Sequence, residues 1–256
     1  MVLAFTTVTY NDRATLPRVI SAVLATTEFP EGTKWYFILQ NCQSTFCDNI
    51  VQLCKGKIEA VLICFANNIG LSKSMAFVIE QTKYFDYILN VEDDWQALAT
   101  HVPNKQWLLT SLRFLEEQKN VSIIFLRAYS GDAEKFQYGF TRVIPYVCHK
   151  HKDNFNYQAK LETAEKIKYA ENITYVHIEN MLFTFNPALF RNSDLHKYVC
   201  PIPIFDLDSK AKGNNANWGG CEAYLMERTR DLKSMWLNEG VFGHLEDFIK
   251  MGLLKE

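Results

Sequence analysis

The sequence predicts an α/β domain with a mostly parallel central sheet flanked by helices and a second half of mixed strands. Two observations predict it. Over the first hundred residues, short apolar runs alternate with segments whose apolar residues recur at helical spacing. Strands joined through helices in this way are forced to run parallel, with helices on both faces of the sheet. Beyond residue 100 the rhythm changes to short apolar stretches and loops rich in aromatics and lysine.

Residues 2–8 form the first apolar run. Asn11 and Asp12 then offer a cap for a helix whose stripe is Leu16, Val19, Ile20 and Val23. Residues 35–39 give the second strand, Ser44 opens a helix through Leu53, and residues 58–65 give the third strand. Gly70 precedes a helix carrying Leu71, Met75, Val78 and Ile79, and residues 84–91 are the fourth strand. A helix over 107–117 and a strand over 121–126 follow. Residues 181–185 read as a strand, after which Asn186 and Pro187 open a short helix, because Asn caps well and Pro suits the first helical position. Residues 222–232 read as a helix, and the polar stretch 206–217 as a loop. No repeat or low-complexity linker interrupts the chain, so residues 1–256 are read as one domain.

Composition excludes several classes. Charged residues make up 22% and the net charge is −2, which leaves no basic excess to neutralise a nucleic-acid backbone. The chain starts directly on a strand, without the basic region, apolar stretch and small-residue cleavage site of a signal peptide. No apolar run approaches the roughly 20 residues that span a bilayer. A cytoplasmic protein, free or peripheral to a membrane, is expected. Seven cysteines with no CxxC pair fit reduced, mostly buried thiols, and the sequons at Asn120 and Asn172 are then chance matches.

The most informative segment is Asn90-Val91-Glu92-Asp93-Asp94-Trp95, where an apolar strand runs straight into three acids. Ligands of open parallel sheets sit beyond the carboxyl ends of the strands. Three carboxylates crowded there repel one another unless a cation joins them. Mg²⁺ and Mn²⁺ take carboxylate oxygen and usually bridge to substrate phosphates. The cluster therefore predicts a metal–diphosphate site; the alternative is a solvated loop whose acids cap the next segment.

Four pieces in order, Thr9-Tyr10-Asn11-Asp12-Arg13, Gln40-Asn41-Cys42-Gln43-Ser44, Asn67-Asn68-Ile69-Gly70-Leu71 and Glu92-Asp93-Asp94-Trp95, resemble the nucleotide-binding half of family 2-like GT-A glycosyltransferases. The last is an E-D-D-W form of that family's DXD motif, and the resemblance covers residues 3–96. It implies a GT-A, Rossmann-like domain with a nucleotide-sugar half over 1–100 and an acceptor half over 101–256. It also implies a metal-dependent, inverting enzyme that moves a hexosyl or pentosyl unit to a glycan or glycoconjugate hydroxyl. UDP-sugars are the favoured donors, with GDP- and dTDP-sugars open, and Mn²⁺ or Mg²⁺ is the cofactor.

Carried onto this sequence, the resemblance places Thr9, Tyr10 and Asn11 along the nucleoside and Gln40 and Asn41 at the base. The family usually has Asp where Gln40 stands. An amide oxygen accepts from a uracil N–H more weakly than a carboxylate, which leaves the base open. Asn68 and Lys73 approach the base or phosphates, Asp93 faces ribose or metal, and Asp94 ligates the metal. A plain turn is the alternative for Tyr10 and Asn11, and a solvated helix residue for Lys73.

In the second half, Trp218-Gly219-Gly220-Cys221-Glu222 opens a predicted helix. The residues 183–190 resemble the acceptor-side strand and helix that precede the family's catalytic acid, and Glu222 is assigned as general base. The family's E-D pair is here Glu222-Ala223, so a helix-start acid is the alternative, with Asp206 and Asp208 as reserves. His244, at the end of a late strand, matches a histidine that returns to the metal; a structural histidine is the alternative. Arg127 contacts acceptor or phosphate, or bridges at the core edge, and Trp95, Trp218 and Trp236 are candidates to stack on sugar. Two other readings compete. A sugar-nucleotide nucleotidyltransferase would carry a glycine-rich first turn, and residues 9–13 contain no glycine. A non-catalytic glycan- or nucleotide-binding module would be expected to have replaced both Asp94 and Glu222, and both acids are present.

Overall fold

The structure is a computed structural model that describes residues 1–128, 165–177, 187–200, 228–229, 232–238, 240–245 and 249. The elements run β1 (Leu3–Tyr10), α1 (Thr15–Thr26), β2 (Lys34–Gln40), α2 (Ser44–Cys54), β3 (Glu59–Phe65), α3 (Leu71–Gln81), β4 (Tyr87–Asn90) and β5 (Trp95–Ala97). They continue with α4 (Trp107–Glu117), β6 (Val121–Phe125), β7 (Lys166–Ala170), β8 (Ile173–His177), β9 (Ala188–Arg191), α5 (Asn192–Val199), β10 (Lys233–Leu237) and β11 (Phe242–His244).

Among the described residues, nine strands form one sheet in the order β3-β2-β1-β4-β9-β6-β10-β8-β7. Strands β3, β2, β1 and β4 are parallel, as the alternating first hundred residues require. Beyond β4 the sheet is mixed: β9 is antiparallel to both β4 and β6, β10 is parallel to β6, and β8 and β7 are antiparallel. A second ladder pairs β11 with β5.

Helices cover both faces. The expected stripe of α1, Leu16, Val19, Ile20 and Val23, is buried on one face with Phe5, Trp35 and Phe37, which stack at 3.9 and 4.8 Å between centroids. The Trp35 indole N–H donates to Thr7 Oγ1 at 3.0 Å, so this large ring is buried without an orphaned donor. Met75 and Ile79 of α3 and Leu195 and Val199 of α5 fill the other face against Ile88, Ile123 and Phe190. Among the described residues no helix is long and apolar enough to cross a membrane.

Three local expectations are corrected. The residue before α1 is Ala14, without a side-chain cap, and Asp12 instead accepts the Gln43 N–H at the start of α2 at 2.9 Å. The fourth strand begins at Tyr87 rather than Tyr84. A turn from Thr82 to Phe85 leaves Tyr84 86% exposed, and Asn192 Nδ2 ties its carbonyls Thr82 O and Phe85 O at 2.9 and 2.7 Å. The segment after Asn186-Pro187 is strand β9 rather than a helix. Ala188, Leu189 and Phe190 lie between β4 and β6, buried, with ladder partners on both sides; tertiary pairing overrides the local start signal. The helix begins at Asn192 instead.

Candidate functional site

Parallel strands bring their carboxyl ends to one edge of the sheet. Tyr10, Gln40 and Phe65 end β1, β2 and β3 in register. Strand β4 stops lower, with Asn90 opposite Thr6 and the Val91 N–H donating to Thr6 O at 3.1 Å. The acids that follow therefore rise alongside the last turn of β1. This offset is why the Thr9 hydroxyl donates to Asp93, which is 6% exposed.

The acid pair is held from two further directions. Arg13, in the loop between β1 and α1, sets Nη1 2.9 Å from Asp93 Oδ1 and 3.4 Å from Asp94 Oδ2. His244 sets Nε2 3.4 Å from Asp94 Oδ2. The β5–β11 ladder makes the second contact: His244 stands opposite Trp95, its ring edge-on to the indole, and the Leu245 N–H donates to Asp94 O at 2.9 Å.

These contacts set the charges. Burial pushes the Asp93 carboxyl above the ordinary carboxylate range, and the neighbouring Asp94 adds to this against the Thr9 hydrogen bond and Arg13. Burial acts upward on Asp94 too, but the hydrogen bond and charge of His244, with Arg13, outweigh it and hold this carboxyl below the usual range. The Arg13 guanidinium is raised further, chiefly by Asp93.

A cavity of about 330 Å³ opens at this edge, lined by Val8, Thr9, Tyr10, Arg13, Gln40, Asn68, Gly70, Leu71, Glu92, Asp93 and Asp94. Of the residues singled out from sequence, Thr9, Tyr10, Gln40, Asn68, Asp93 and Asp94 are in this lining, and His244 adjoins it through Asp94. Gln40 is 3% exposed, and its amide oxygen accepts from the Ile69 and Gly70 amides at 2.8 and 3.2 Å. Asn68 Oδ1 also accepts from Gly70 at 2.8 Å. Asn11 and Asn41 lie at the strand tips outside the lining, both with left-handed backbone, φ 60° and 53°, and Asn41 Nδ2 donates to Asn11 Oδ1 at 2.8 Å. Lys73 is exposed on α3 and does not line the cavity. Glu222, Asp206, Asp208 and Trp218 lie outside the described residues. A larger cavity of about 430 Å³, at the opposite strand ends, is lined by Phe29, Glu31, Lys57 and Glu59 among others and holds none of the predicted residues.

Trp95 and Trp236 are core residues, each 4% exposed. Trp236 donates to Arg127 O at 2.8 Å, and the fully buried Arg127 guanidinium stands 5.8 Å from the Trp95 ring centroid. This is cation–π packing beneath the site. The residue that sequence reasoning missed is Arg13, quoted within a motif but given no role. The signal lies in the strand pairing and not in the local sequence: a cation three residues past the end of β1 faces acids that follow the adjacent parallel strand β4.

The donor set suits a hard divalent ion. Two carboxylates and an imidazole are acceptable to Mn²⁺, less so to Mg²⁺ because of the imidazole. Among the described residues no group of three or more acids, histidines or cysteines is arranged to hold a metal ion. Asp93, Asp94 and His244 could therefore hold an ion only with oxygens of a bound substrate completing its ligands.

No family model matches this sequence, and no curated protein matches it. Solved structures do share its fold. S. aureus TarS 1-349 is 16% identical with a TM-score of 0.59, over 98% of this chain and 63% of that one. The same S. aureus protein in complex with UDP-GlcNAc is 13% identical, TM-score 0.61, over 96% and 61%. The mannosyltransferase PcManGT from Pyrobaculum calidifontis, in complex with GDP-Man and Mn2+, is 8% identical, TM-score 0.56, over 91% and 53%. The chain thus spans less than two thirds of the length of each of these. It shares with these structures a mixed α/β, GT-A-like fold, a large central sheet flanked by helices.

Proposed function

We propose that this protein is a metal-dependent glycosyltransferase that binds a nucleoside-diphosphate sugar at the cavity beyond β1, β2 and β4. The observation that carries the reading is the Asp93–Asp94 pair that lines the cavity, held by Thr9, Arg13 and His244. The shared fold supports it, since neighbours of that fold are described with UDP-GlcNAc and with GDP-Man and Mn2+. In this reading residues 1–100 hold the donor and 101–256 the acceptor, a glycan or glycoconjugate hydroxyl.

Asp94, His244 and Asp93 would hold the ion, with Mn²⁺ preferred over Mg²⁺ by the imidazole. An ion held there would supply charge neutralisation to the departing nucleoside diphosphate. The chain's own residues do the rest. Tyr10 and Asn68 flank the nucleoside, and Gln40 holds the 69–70 backbone in shape through its oxygen. Glu222 is the base: its carboxylate accepts the acceptor proton as the oxygen attacks the anomeric carbon, opposite the leaving group, so configuration inverts.

The test is a panel of UDP-, GDP- and dTDP-sugars with Mn²⁺ or Mg²⁺, with released nucleoside diphosphate measured chromatographically. One donor is expected to be consumed. Asp94→Asn is expected to lower turnover at least about 100-fold, in the range a general-base or metal contact supplies. Glu222→Gln is expected to stop transfer while leaving donor binding. Release of pyrophosphate, or full turnover by Asp94→Asn, overturns the reading.

A further inference from the structure

Arg13 meets the two acids in an unusual way for a structural arginine. One nitrogen, Nη1, touches a carboxylate oxygen of each residue, 2.9 Å from Asp93 and 3.4 Å from Asp94. Sharing one nitrogen between two carboxylates leaves the guanidinium without the two-nitrogen fork that it makes on a single carboxylate or phosphate. The side chain is 50% exposed, so packing does not anchor it. Arg191 is the contrast within the same chain: 12% exposed, its three guanidinium nitrogens bond several backbone carbonyls and a tyrosine hydroxyl. Arg13 also lines the cavity.

Two consequences follow from charge alone. A divalent ion that takes oxygens of Asp93 and Asp94 competes with the guanidinium for the same lone pairs. A diphosphate entering the cavity offers Arg13 better acceptors than it has, because guanidinium and phosphate pair bidentately.

We propose that Arg13 is an exchange cation: it holds the Asp93–Asp94 pair until donor arrives, then releases the carboxylates to the divalent ion and transfers its guanidinium to a phosphate oxygen of the nucleoside diphosphate. This rests on the donor-site reading above and assigns a further donor-binding residue within it. Metal and nucleotide then assist each other's binding, and by linkage the assistance is equal in both directions.

The test measures binding, independently of turnover. Free Mn²⁺ is followed by electron paramagnetic resonance and UDP or GDP by calorimetry, on the full chain and on Arg13→Gln and Arg13→Lys, each checked for a wild-type melting profile. In the wild type, saturating nucleotide is expected to tighten Mn²⁺ about tenfold or more. Arg13→Gln is expected to bind Mn²⁺ alone about fivefold more tightly and nucleotide about tenfold more weakly, with the mutual assistance reduced. Arg13→Lys, which keeps the charge without the fork, is expected to fall between. Wild-type constants in Arg13→Gln, or equal weakening of both ligands, overturn the exchange role while leaving the donor site standing. A wild-type chain that binds neither Mn²⁺ nor nucleotide overturns the donor site and this proposal together.

Discussion

The side-chain oxygen of Gln40 accepts the backbone amide of Gly70 at 3.2 Å and that of Ile69 at 2.8 Å, joining the end of β2 to the start of α3. Gln40→Ala leaves Gly70 its second acceptor, Asn68 Oδ1 at 2.8 Å, but takes the acceptor of the part-buried Ile69 amide. The expected cost is about 1–3 kcal/mol of stability, read from urea unfolding, because a buried donor without an acceptor forfeits its solvation. Gln40→Glu keeps an acceptor and is expected to cost less. An unchanged midpoint for Gln40→Ala would show that the loop is held by other means.

Arg191 stitches the end of α4 to the sheet. Its guanidinium donates to Leu115 O, to Gln118 O and Val121 O at 3.4 and 3.3 Å, and to the Tyr87 hydroxyl at 3.3 Å. The carbonyls at a helix C-terminus favour a cation. Arg191→Ala is expected to lower stability by about 2–4 kcal/mol, as charged hydrogen bonds to enclosed carbonyls are lost. Arg191→Lys, with one cationic nitrogen, recovers only part. A melting temperature for Arg191→Ala within error of wild type contradicts this account.

Gly240 makes the turn between β10 and β11 with φ 67°, and a Cβ there would lie 1.9 Å from Arg127 O. Both backbone strain and collision oppose any side chain. Gly240→Ala is expected to cost at least about 2 kcal/mol and, by shifting β11, to draw His244 away from Asp94. Thermal melting reads the first effect and the His244 imidazole resonances read the second. A fully stable Gly240→Ala with unshifted resonances would refute the turn geometry.

Burial, aided by Asp12, pushes the Cys42 thiol up to about 11; burial, aided by Cys64, does the same to Cys47, also about 11. The thiolate is the nucleophile, so a raised value lowers reactivity below that pH. Alkylation of both by iodoacetamide at pH 8 is expected to lag glutathione by about 100-fold or more, and to rise about tenfold per pH unit until pH approaches 11. Cys54, 1% exposed and also at about 11, is expected to react last. Peptide mass spectrometry over time checks the order; labelling of Cys42 at the glutathione rate would contradict it.

The parallel half was legible because its signals are local. The stripe of α1, the apolar run of β2 and the acids after β4 each appear within one window of sequence, and neighbouring strands fix their ends at one edge. The parts that escaped depend on distant partners. Four residues, Ala188–Arg191, carry a helix-start signal just before them and become strand only because β4 and β6 pair with them from both sides. Strand β5 is three residues long and exists through β11. Arg13 carries no local mark of its role, which appears only when β1 and β4 lie side by side.

The interior position of β10 in the sheet has a temporal meaning. This strand, Lys233–Leu237, fills the gap between β6 and β8, both of which leave the ribosome long before it. Until it arrives, those two strands expose facing edges inside what will be the interior, and the ladder that seats His244 cannot close. Synthesis of β10 therefore joins the two parts of the sheet late, and the edges left open until then are the kind at which misassembly starts.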